Sequence, residues 1–332
     1  MSMVALPPLK EVLDSAIVVS LPMRVKFRGI TRREAVLIEG PAGWGEFSPF
    51  VEYGDAEACA WLASALESAW TGWPAARREW VRVNATVPAV PARQVGPLLD
   101  RFDGVSTVKV KVAEVGQTIA DDVARVRAVR AAWPDVAIRV DANGAWSVAA
   151  ATEALTQLAE VGLDYAEQPC ATVPELVQLR GEIRRRGLDV RLAADESIRK
   201  ADDPLIVARS GAIDVAVVKV APLGGVRATL AVAEQLSALG VEVVVSSALD
   251  TSVGLAAGVA AAAALPDDPP ACGLGTAALF AADVVAAPLL PRQGRLLVLP
   301  TAPQPVRPAV LASPDRRAWW LARLERCWRR LV

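Results

Sequence analysis

Three lysines and three acids stand at the ends of β-branched runs in the middle of this sequence. Lys109 and Lys111 end one run, and Lys219 ends another much further along the chain. The carboxylates that end the three consecutive runs between them are Asp141, Glu167 and Asp195. A lysine beside other positive charges loses its proton more easily, so it can serve as a general base. The pattern therefore predicts proton transfer assisted by a metal ion.

The three acids are the predicted metal ligands. Carboxylates gathered in one place repel one another unless a cation lies between them, and oxygen ligands with open positions suit Mg²⁺. We expect Mn²⁺ to be able to substitute. Strand alternation turns Glu196 away from the side of Asp195, so the third ligand is assigned to Asp195. A single acid at a strand end is usually a helix cap or a solvated residue, but three in succession favour a metal site.

Lys111 and Lys219 are the predicted catalytic residues. Lys109 and Lys111 share one strand face because they are two residues apart, whereas Lys219 approaches from the other side of the site. The two sides allow either two acid–base groups or one base and one fixed positive charge. For Lys219 alone, a salt bridge to Glu196 or Asp214 is the structural alternative.

The composition excludes several classes of function. The sequence has no histidine, which rules out Ser–His–Asp and Cys–His catalysis, a His general base and His-ligated zinc. Its net charge of −1 gives no global attraction to nucleic acid or to an anionic membrane. The four cysteines are far apart and are expected to be free thiols in a reducing cytosol. No signal-peptide pattern precedes them, so we expect a cytoplasmic protein.

The C-terminal segment from Arg316 to Arg330 has a basic helical pattern that carries tryptophans. Such a helix could lie on a membrane surface. We favour the alternative, in which Trp319, Trp320 and Trp328 pack on the body of the protein. No membrane partner is therefore expected.

Strand-like runs alternate with helical stretches between about residues 83 and 276. The runs cover 83–87, 106–112, 137–143, 164–168, 191–196, 213–220 and 241–247, with a shorter eighth at 272–275. Repeated β–α units of this number favour a closed barrel, and no GxGxxG follows an early strand. We predict a (β/α)7β TIM-like barrel with an α+β capping domain. The expected boundaries are 1–82 for the N-terminal part of the cap, 83–288 for the barrel and 289–332 for a tail that returns to the cap.

These motifs resemble the enolase superfamily in its muconate-lactonizing branch. The resemblance covers nearly the whole chain, because the motifs occur in order at barrel spacing and the segment 43–49 looks like a capping-domain motif. The absence of histidine argues against the mandelate-racemase-like branch, which uses a His–Asp pair. The Asp-x-Asp motif of the dipeptide epimerases has no counterpart at 272–280.

Segments 246–254, 273–276 and 283–285 are similar to the dehydratases of that branch that form 2-succinylbenzoate for menaquinone biosynthesis. The resemblance implies Mg²⁺-dependent syn-dehydration of 2-succinyl-6-hydroxy-2,4-cyclohexadiene-1-carboxylate, with Lys111 as the base and Lys219 as an electrostatic group. Racemisation of N-succinylamino acids, or a related epimerase or cycloisomerase reaction, remains the alternative. A non-catalytic barrel scaffold is a more remote one.

The expected partner is therefore a small-molecule carboxylate, and a monomer is favoured. Ser246 and Ser247 are expected to hold the succinyl carboxylate through their hydroxyls and backbone N–H groups. Asn143 is expected to orient a lysine or a metal-bound water. The remaining predicted substrate contacts are Lys109 and Arg28, the latter in a segment at 22–31 expected to cover the site.

Overall fold

A computed structural model of the chain describes residues 6–27, 29–199, 203–306 and 310–332. The N-terminal part forms a three-stranded antiparallel sheet in the order β1–β2–β3. Its elements are α1 (Leu9–Ser15), β1 (Ile17–Phe27), β2 (Ile30–Gly40), β3 (Gly43–Phe47) and α2 (Asp55–Leu66), the last continued by a π-helical turn at Glu67–Thr71. Gly45 allows β3 to lie directly against α2, because a side chain there would collide with the carbonyl group of Ala65.

Seven parallel strands follow, alternating with helices, after a short strand β4 (Trp80–Arg82). The parallel strands are β5 (Ala85–Val87), β6 (Thr107–Lys111), β7 (Ala137–Asp141), β8 (Leu163–Glu167), β9 (Arg191–Ala194), β10 (Val215–Lys219) and β11 (Glu242–Ser246). The helices among them are α3 (Val95–Leu99), α4 (Ile119–Ala132), α5 (Val148–Ala159), α6 (Val173–Arg186), α7 (Glu196–Arg199), α8 (Ile206–Arg209), α9 (Val226–Ala238) and α10 (Ser252–Ala264).

A short eighth segment closes the barrel between its first and last parallel strands. Cys272 forms a parallel bridge with Val83, and Gly273 forms one with Ser246. Backbone hydrogen bonds run on both sides of the segment, for example from Asn84 N to Cys272 O at 3.0 Å and from Gly273 N to Val245 O at 2.8 Å. The prediction of a (β/α)7β barrel is therefore confirmed, including its short eighth run.

Local sequence signals explain where the barrel helices begin. Thr118 with Asp121, and Thr172 with Glu175, form reciprocal capping boxes at the starts of α4 and α6. Gly187 ends α6 at a φ of 64°, a left-handed conformation that glycine adopts without steric cost. Strands β6, β10 and β11 are valine-rich and their valines are buried, as expected for parallel strands covered by helices.

The C-terminal tail packs against the N-terminal sheet and α2. Strand β12 (Arg295–Leu297) pairs with β4, and α11 (Pro314–Leu331) ends the chain against α2. Trp320 is fully buried, and Trp328 Nε1 donates to Pro7 O at 3.1 Å. The packing interpretation is thus confirmed for these two residues, whereas Trp319 remains 36% exposed. In the described part of the chain, no helix has both the length and the apolarity that crossing a membrane requires.

Candidate active site

The predicted lysines and acids meet at one end of the barrel because the strand register aligns them. Lys111 is paired with Asp141, and Asp141 with Glu167, on neighbouring strands. Glu167 pairs with Ala193, two residues before Asp195. Lys219 ends β10, which lies beside β9. The carboxyl ends of the strands therefore bring together every lysine and acid that the sequence predicted, at the face where barrel enzymes carry their active sites.

Buried ion pairs connect these side chains. Lys109 Nζ lies 2.9 Å from Asp141 Oδ2 and 2.6 Å from Glu167 Oε1. Lys111 Nζ lies 2.5 Å from the same Asp141 oxygen, and Lys219 Nζ lies 2.5 Å from Asp195 Oδ2. The structural alternative for Lys219, a salt bridge to Glu196 or Asp214, is therefore wrong.

The acids still offer oxygen atoms that fit a cation. Glu167 Oε2 is buried and has no hydrogen-bond partner in the structure, which is costly for a carboxylate oxygen unless a ligand satisfies it. In the side-chain positions described here, ammonium groups lie between the carboxylates. Accordingly, among the residues that the structure describes, no three His, Cys, Asp or Glu side chains are arranged so that together they could hold a metal ion. The donor set itself, three buried carboxylates, fits a hard divalent cation.

The proton affinities of these groups differ sharply. Burial lowers the pKa of Lys111, and the ammonium of Lys109 lowers it further. Burial acts in the same direction on Lys109, but Asp141 and Glu167 raise its pKa well above the usual value. Burial and the charge of Asp141 raise the pKa of Glu167 to about 7. Of the two lysines on β6, Lys111 is therefore the better general base.

Asn143 contacts the proposed base directly. Its Oδ1 accepts a hydrogen bond from Lys111 Nζ at 2.6 Å, and its backbone N–H donates to Asp141 Oδ1 at 3.0 Å. It adopts a φ of 48° just beyond β7, a conformation that asparagine tolerates better than most residues. Its Nδ2 donates to Glu196 Oε1 at 3.3 Å. Glu196 thus reaches the rim of the site, although strand alternation predicted that it would point away.

Two residues that the sequence reasoning passed over hold Asp195 in place. Gln168 Oε1 accepts the backbone N–H groups of Asp195 and Ser197 at 3.0 and 3.1 Å. Arg199 Nε lies 3.2 Å from Asp195 Oδ1, and its Nη1 donates to Tyr53 Oη at 3.0 Å. The signal available for Gln168 was its place directly after Glu167. Nothing in the sequence pointed to the contact between Arg199 and the capping domain.

A cavity lies beside these groups. Its lining includes both proposed catalytic lysines, Asn143, the two predicted serines, and Phe50 from the capping domain; the further lining residues are Thr86, Lys109, Asp141, Ala248, Leu249, Gly273 and Thr276. Ser247 Oγ lies 2.6 Å from Thr276 Oγ1 and 3.2 Å from Gly273 O. The Ser247 N–H donates to Gly273 O at 3.0 Å. The expectation that this N–H holds substrate is therefore wrong, because barrel closure already uses it.

The described residues at the tip of the β1–β2 hairpin lie next to the site. Lys26 and Gly29 line a second cavity of about 360 Å³, which shares Lys111 and Asn143 with the first. Two larger cavities elsewhere, at the α5–α6 surface and beside Arg77, contain no lysine. The predicted substrate contact Arg28 lies outside the described residues, so its role stays a prediction.

Glu46 joins the capping domain to the barrel. It lies in β3, and its Oε2 accepts hydrogen bonds from Thr251 Oγ1 at 2.5 Å and from the N–H groups of Thr251 and Gly254 at 3.1 and 3.0 Å. Its Oε1 accepts from Ser48 Oγ at 2.7 Å. Burial and the nearby carboxylate of Asp250 raise the pKa of Glu46 to about 7, against the opposing charge of Arg33.

The free energy of unfolding is expected to fall as the pH rises from about 4.5 to about 7. Folded Glu46 keeps its proton up to about pH 7, whereas the unfolded chain loses it near the ordinary value of 4.5. The folded state therefore binds more protons in this window. The contribution of this group to the free energy of unfolding should fall with a slope approaching about 1.4 kcal/mol per pH unit. That contribution is complete below the window and lost above it.

Urea unfolding of the wild type and Glu46→Gln at several pH values measures this effect. The variant should lose that part of the slope, while Glu34→Gln, a change elsewhere in the capping domain, should keep it. Equal slopes for the wild type and Glu46→Gln would contradict the assignment.

Comparisons with known proteins identify the family to which this fold belongs. Residues 98–303 match the family described as enolase C-terminal domain-like, and residues 18–69 match the enolase N-terminal domain-like family. The chain superposes on muconate lactonizing enzyme from Pseudomonas fluorescens with a TM-score of 0.72 and 23% identity, covering 92% of this chain and 97% of that one. It superposes on the L-Ala-D/L-Glu epimerase from Bacillus subtilis with a TM-score of 0.74 and 19% identity, covering 90% and 98%. Fold, site and family matches define a member of the enolase superfamily.

Proteins with similar sequences identify the family within this superfamily. An o-succinylbenzoate synthase from Mycobacterium bovis is 58% identical over 329 residues, covering 98% of each chain. Another from Mycobacterium leprae is 57% identical over 329 residues, covering 98% of this chain and 95% of its own. Within the superfamily, the chain belongs to the o-succinylbenzoate synthase family, and it is an enzyme. Enolase-superfamily sites pair a Lys or His base with a divalent metal ion.

Proposed function

We propose that this enzyme removes water from 2-succinyl-6-hydroxy-2,4-cyclohexadiene-1-carboxylate to give 2-succinylbenzoate, a step of menaquinone biosynthesis. The observation that carries the proposal is the 58% identity, over 98% of the chain, to relatives named o-succinylbenzoate synthase. The cavity lined by both Lys111 and Lys219 supports it, since the reaction needs a base and a positive charge beside one small carboxylate.

Lys111 is the proposed base. Its neutral amine takes the proton α to the substrate carboxylate, and the resulting ammonium gives that proton to the departing hydroxyl on the same face. The C–H and C–O bonds break, one water molecule leaves, and the ring becomes aromatic. Asn143 Oδ1, at 2.6 Å from Lys111 Nζ, holds the amine in place during both transfers.

Lys219 is proposed to remain charged. Its ammonium lines the same cavity and faces the negative charge that develops on the substrate. The hydroxyls of Ser246 and Ser247 are proposed to contact the succinyl carboxylate at the cavity wall. Lys109 also lines the cavity, and its contact with substrate stays a prediction. We propose that it fixes the carboxylates of Asp141 and Glu167, which it contacts at 2.9 and 2.6 Å.

Asp141, Glu167 and Asp195 are proposed to hold Mg²⁺, for which Mn²⁺ can substitute. When bound, the ion supplies Lewis-acid polarisation of the substrate carboxylate. The unpartnered Glu167 Oε2 supports this assignment. Arg199 and Gln168 hold Asp195 in place for this role.

The direct test supplies the cyclohexadiene substrate to the purified enzyme with Mg²⁺ and follows 2-succinylbenzoate by its aromatic absorbance and by mass. We expect stoichiometric formation of product, one water lost per substrate. No product under conditions where a relative such as the Mycobacterium bovis enzyme is active would overturn the proposal. We also infer that the protein is cytoplasmic and that it is a monomer. Light scattering coupled to size-exclusion chromatography tests the second inference and should give the mass of one chain.

Racemisation of N-succinylamino acids is a second candidate, favoured by one observation: lysines from two separate strands line one cavity. If Lys219 can also exchange a proton, both faces of an α-carbon become accessible. If Lys219 acts only by its charge, as proposed above, Lys111 alone can exchange the α-proton in deuterium oxide, and it serves one face of the α-carbon. Exchange should therefore be confined to one enantiomer, as NMR can measure. Rapid exchange in both enantiomers would instead establish the racemase activity.

A further inference from the structure

One wall of the cavity is a loop that the capping domain contacts at two points. We call residues 247–250 the 247–250 loop; Ser247, Ala248 and Leu249 of this loop line the cavity. Arg33, in β2, donates from Nε to Leu249 O at 3.0 Å and from Nη2 to Ala248 O at 3.2 Å. Glu46, in β3, accepts the N–H groups of Thr251 and Gly254, just beyond the loop. Two carbonyl groups of the loop and two amide groups after it thus have their hydrogen-bond partners in another domain.

The 247–250 loop adopts a backbone conformation that needs such support. Leu249 has a φ of 62°, which costs a branched, non-glycine residue of the order of 1 kcal/mol or more. Asp250 Oδ2 accepts the Ala248 N–H at 3.0 Å and so closes the turn from within. A strained residue of this kind persists only where its surroundings determine it. Here Arg33 and Glu46 hold the loop from the capping domain, in addition to Asp250 within the loop.

Joining the two domains does not by itself explain these contacts, because burying charged groups costs free energy. Arg33, Glu46 and Asp250 are all buried, and burying charges rarely stabilises a fold more than apolar packing would. Arg33 further lies over the ring of Phe50, 4.3 Å from its centroid, and Phe50 lines the same cavity. One arginine therefore contacts two parts of the cavity wall, one from each domain.

We propose that Arg33 and Glu46 are positioning residues for the reaction. They hold the 247–250 loop and Phe50 in the single arrangement that shapes this wall of the cavity, which carries neither Lys111 nor Lys219. The inference rests on the proposed function and deepens it. Binding energy from the remote part of a substrate orients its reacting centre, so a loosened wall should impair turnover although no catalytic group has changed.

The test compares Glu46→Gln and Arg33→Lys with a matched control. Glu46→Gln keeps the size of the side chain but replaces one of its two acceptor oxygens with an amide N–H₂ donor, so Ser48, Thr251 and Gly254 can no longer all keep their hydrogen bonds. Arg33→Lys keeps the charge but cannot donate to two carbonyl groups in a fixed fork, which makes it a milder second variant. Glu34→Gln is the control: it removes a carboxylate of the same sheet that pairs with Arg316 and Trp320, away from the cavity.

Three quantities are measured at about pH 8, where Glu46 is ionised: kcat/KM for dehydration, Mg²⁺ affinity by calorimetry, and amide hydrogen exchange at 248–254. Both test variants should lose about 10- to 100-fold in kcat/KM, keep Mg²⁺ affinity within about twofold, and exchange faster in that segment. Glu34→Gln should keep the wild-type kcat/KM and the wild-type exchange rates at 248–254. This should hold even if the loss of its contacts with Arg316 and Trp320 changes its thermal midpoint.

Unchanged exchange in the test variants, or kcat/KM losses no larger than those of Glu34→Gln, would overturn the positioning role. A wild type without dehydratase activity would overturn the proposed function instead. In that case the exchange measurement still decides whether Arg33 and Glu46 hold the loop.

Discussion

Replacing Lys111 with methionine is expected to lower kcat by about 10²- to 10⁴-fold, the range that a general base usually contributes. Lys111 lies in the cavity and has a lowered pKa, and its neighbour Asp141 keeps the ammonium of Lys109 at 2.9 Å after the substitution. The carboxylate is therefore not left without a partner, and the variant should remain folded. Steady-state kinetics with the thermal midpoint as a check on folding measures the effect.

Arginine substitutions separate proton transfer from charge. Arg keeps the positive charge but does not lose its proton in proteins, so Lys111→Arg should be nearly as inactive as Lys111→Met. Lys219→Arg should retain far more activity than Lys219→Met, since only the charge of Lys219 is required. Lys10→Met, an exposed change on α1, is the control and should match the wild type. An active Lys111→Arg would show that Lys111 is not the base.

Replacing Asp195 with asparagine is expected to weaken Mg²⁺ binding by at least about 10²-fold and to lower kcat/KM by a similar factor, on the scale of losing one preorganised electrostatic contact. Asp195 is buried beside Lys219 and Arg199, and it contributes one of only three proposed ligands. Calorimetric titration with Mg²⁺ and with Mn²⁺ measures affinity directly.

Asp164→Asn provides the matched control for this substitution. Asp164 lies on the same strand as Glu167 but at its other end, where it pairs with Arg139 and Arg191. Its loss should cost stability, because it leaves buried positive charge unpaired, yet metal affinity should stay unchanged. Equal affinity in Asp195→Asn and Asp164→Asn would remove Asp195 from the proposed metal site.

Much of the barrel and its polar rim could be predicted because both depend on local, periodic signals. Short β-branched or apolar runs, most of them with a polar or charged residue where the run stops, predict parallel strands and the face at which they end. The pairing of Lys111 with Asp141, and of Asp141 with Glu167, follows from that register. The absence of histidine was also informative, since it excluded a His general base and left lysine and the carboxylates as the main candidates. The domain boundaries at 82/83 and 288/289 stay a prediction.

The contacts between domains could not be predicted in the same way. Glu46 and Thr251 are separated by 205 residues, and Arg33 and Leu249 by 216; no period or motif links such positions. Glu196 was misjudged for a related reason. Strand alternation was extended to it, but β9 ends at Ala194 and a helix begins at Glu196, which turns its side chain toward Asn143. Likewise, the N–H of Ser247 donates to Gly273 O, in the distant segment that closes the barrel.

Removal and return of the metal shows whether a divalent cation takes part in the reaction. The wild-type enzyme, stripped with EDTA and dialysed, should lose dehydration of the cyclohexadiene carboxylate while keeping its fold by circular dichroism. Added Mg²⁺ should restore full activity with a single binding isotherm, and Mn²⁺ should restore it in part or whole. Undiminished conversion by the stripped enzyme would contradict a mechanism in which three strand-end carboxylates hold a divalent cation opposite a lysine base.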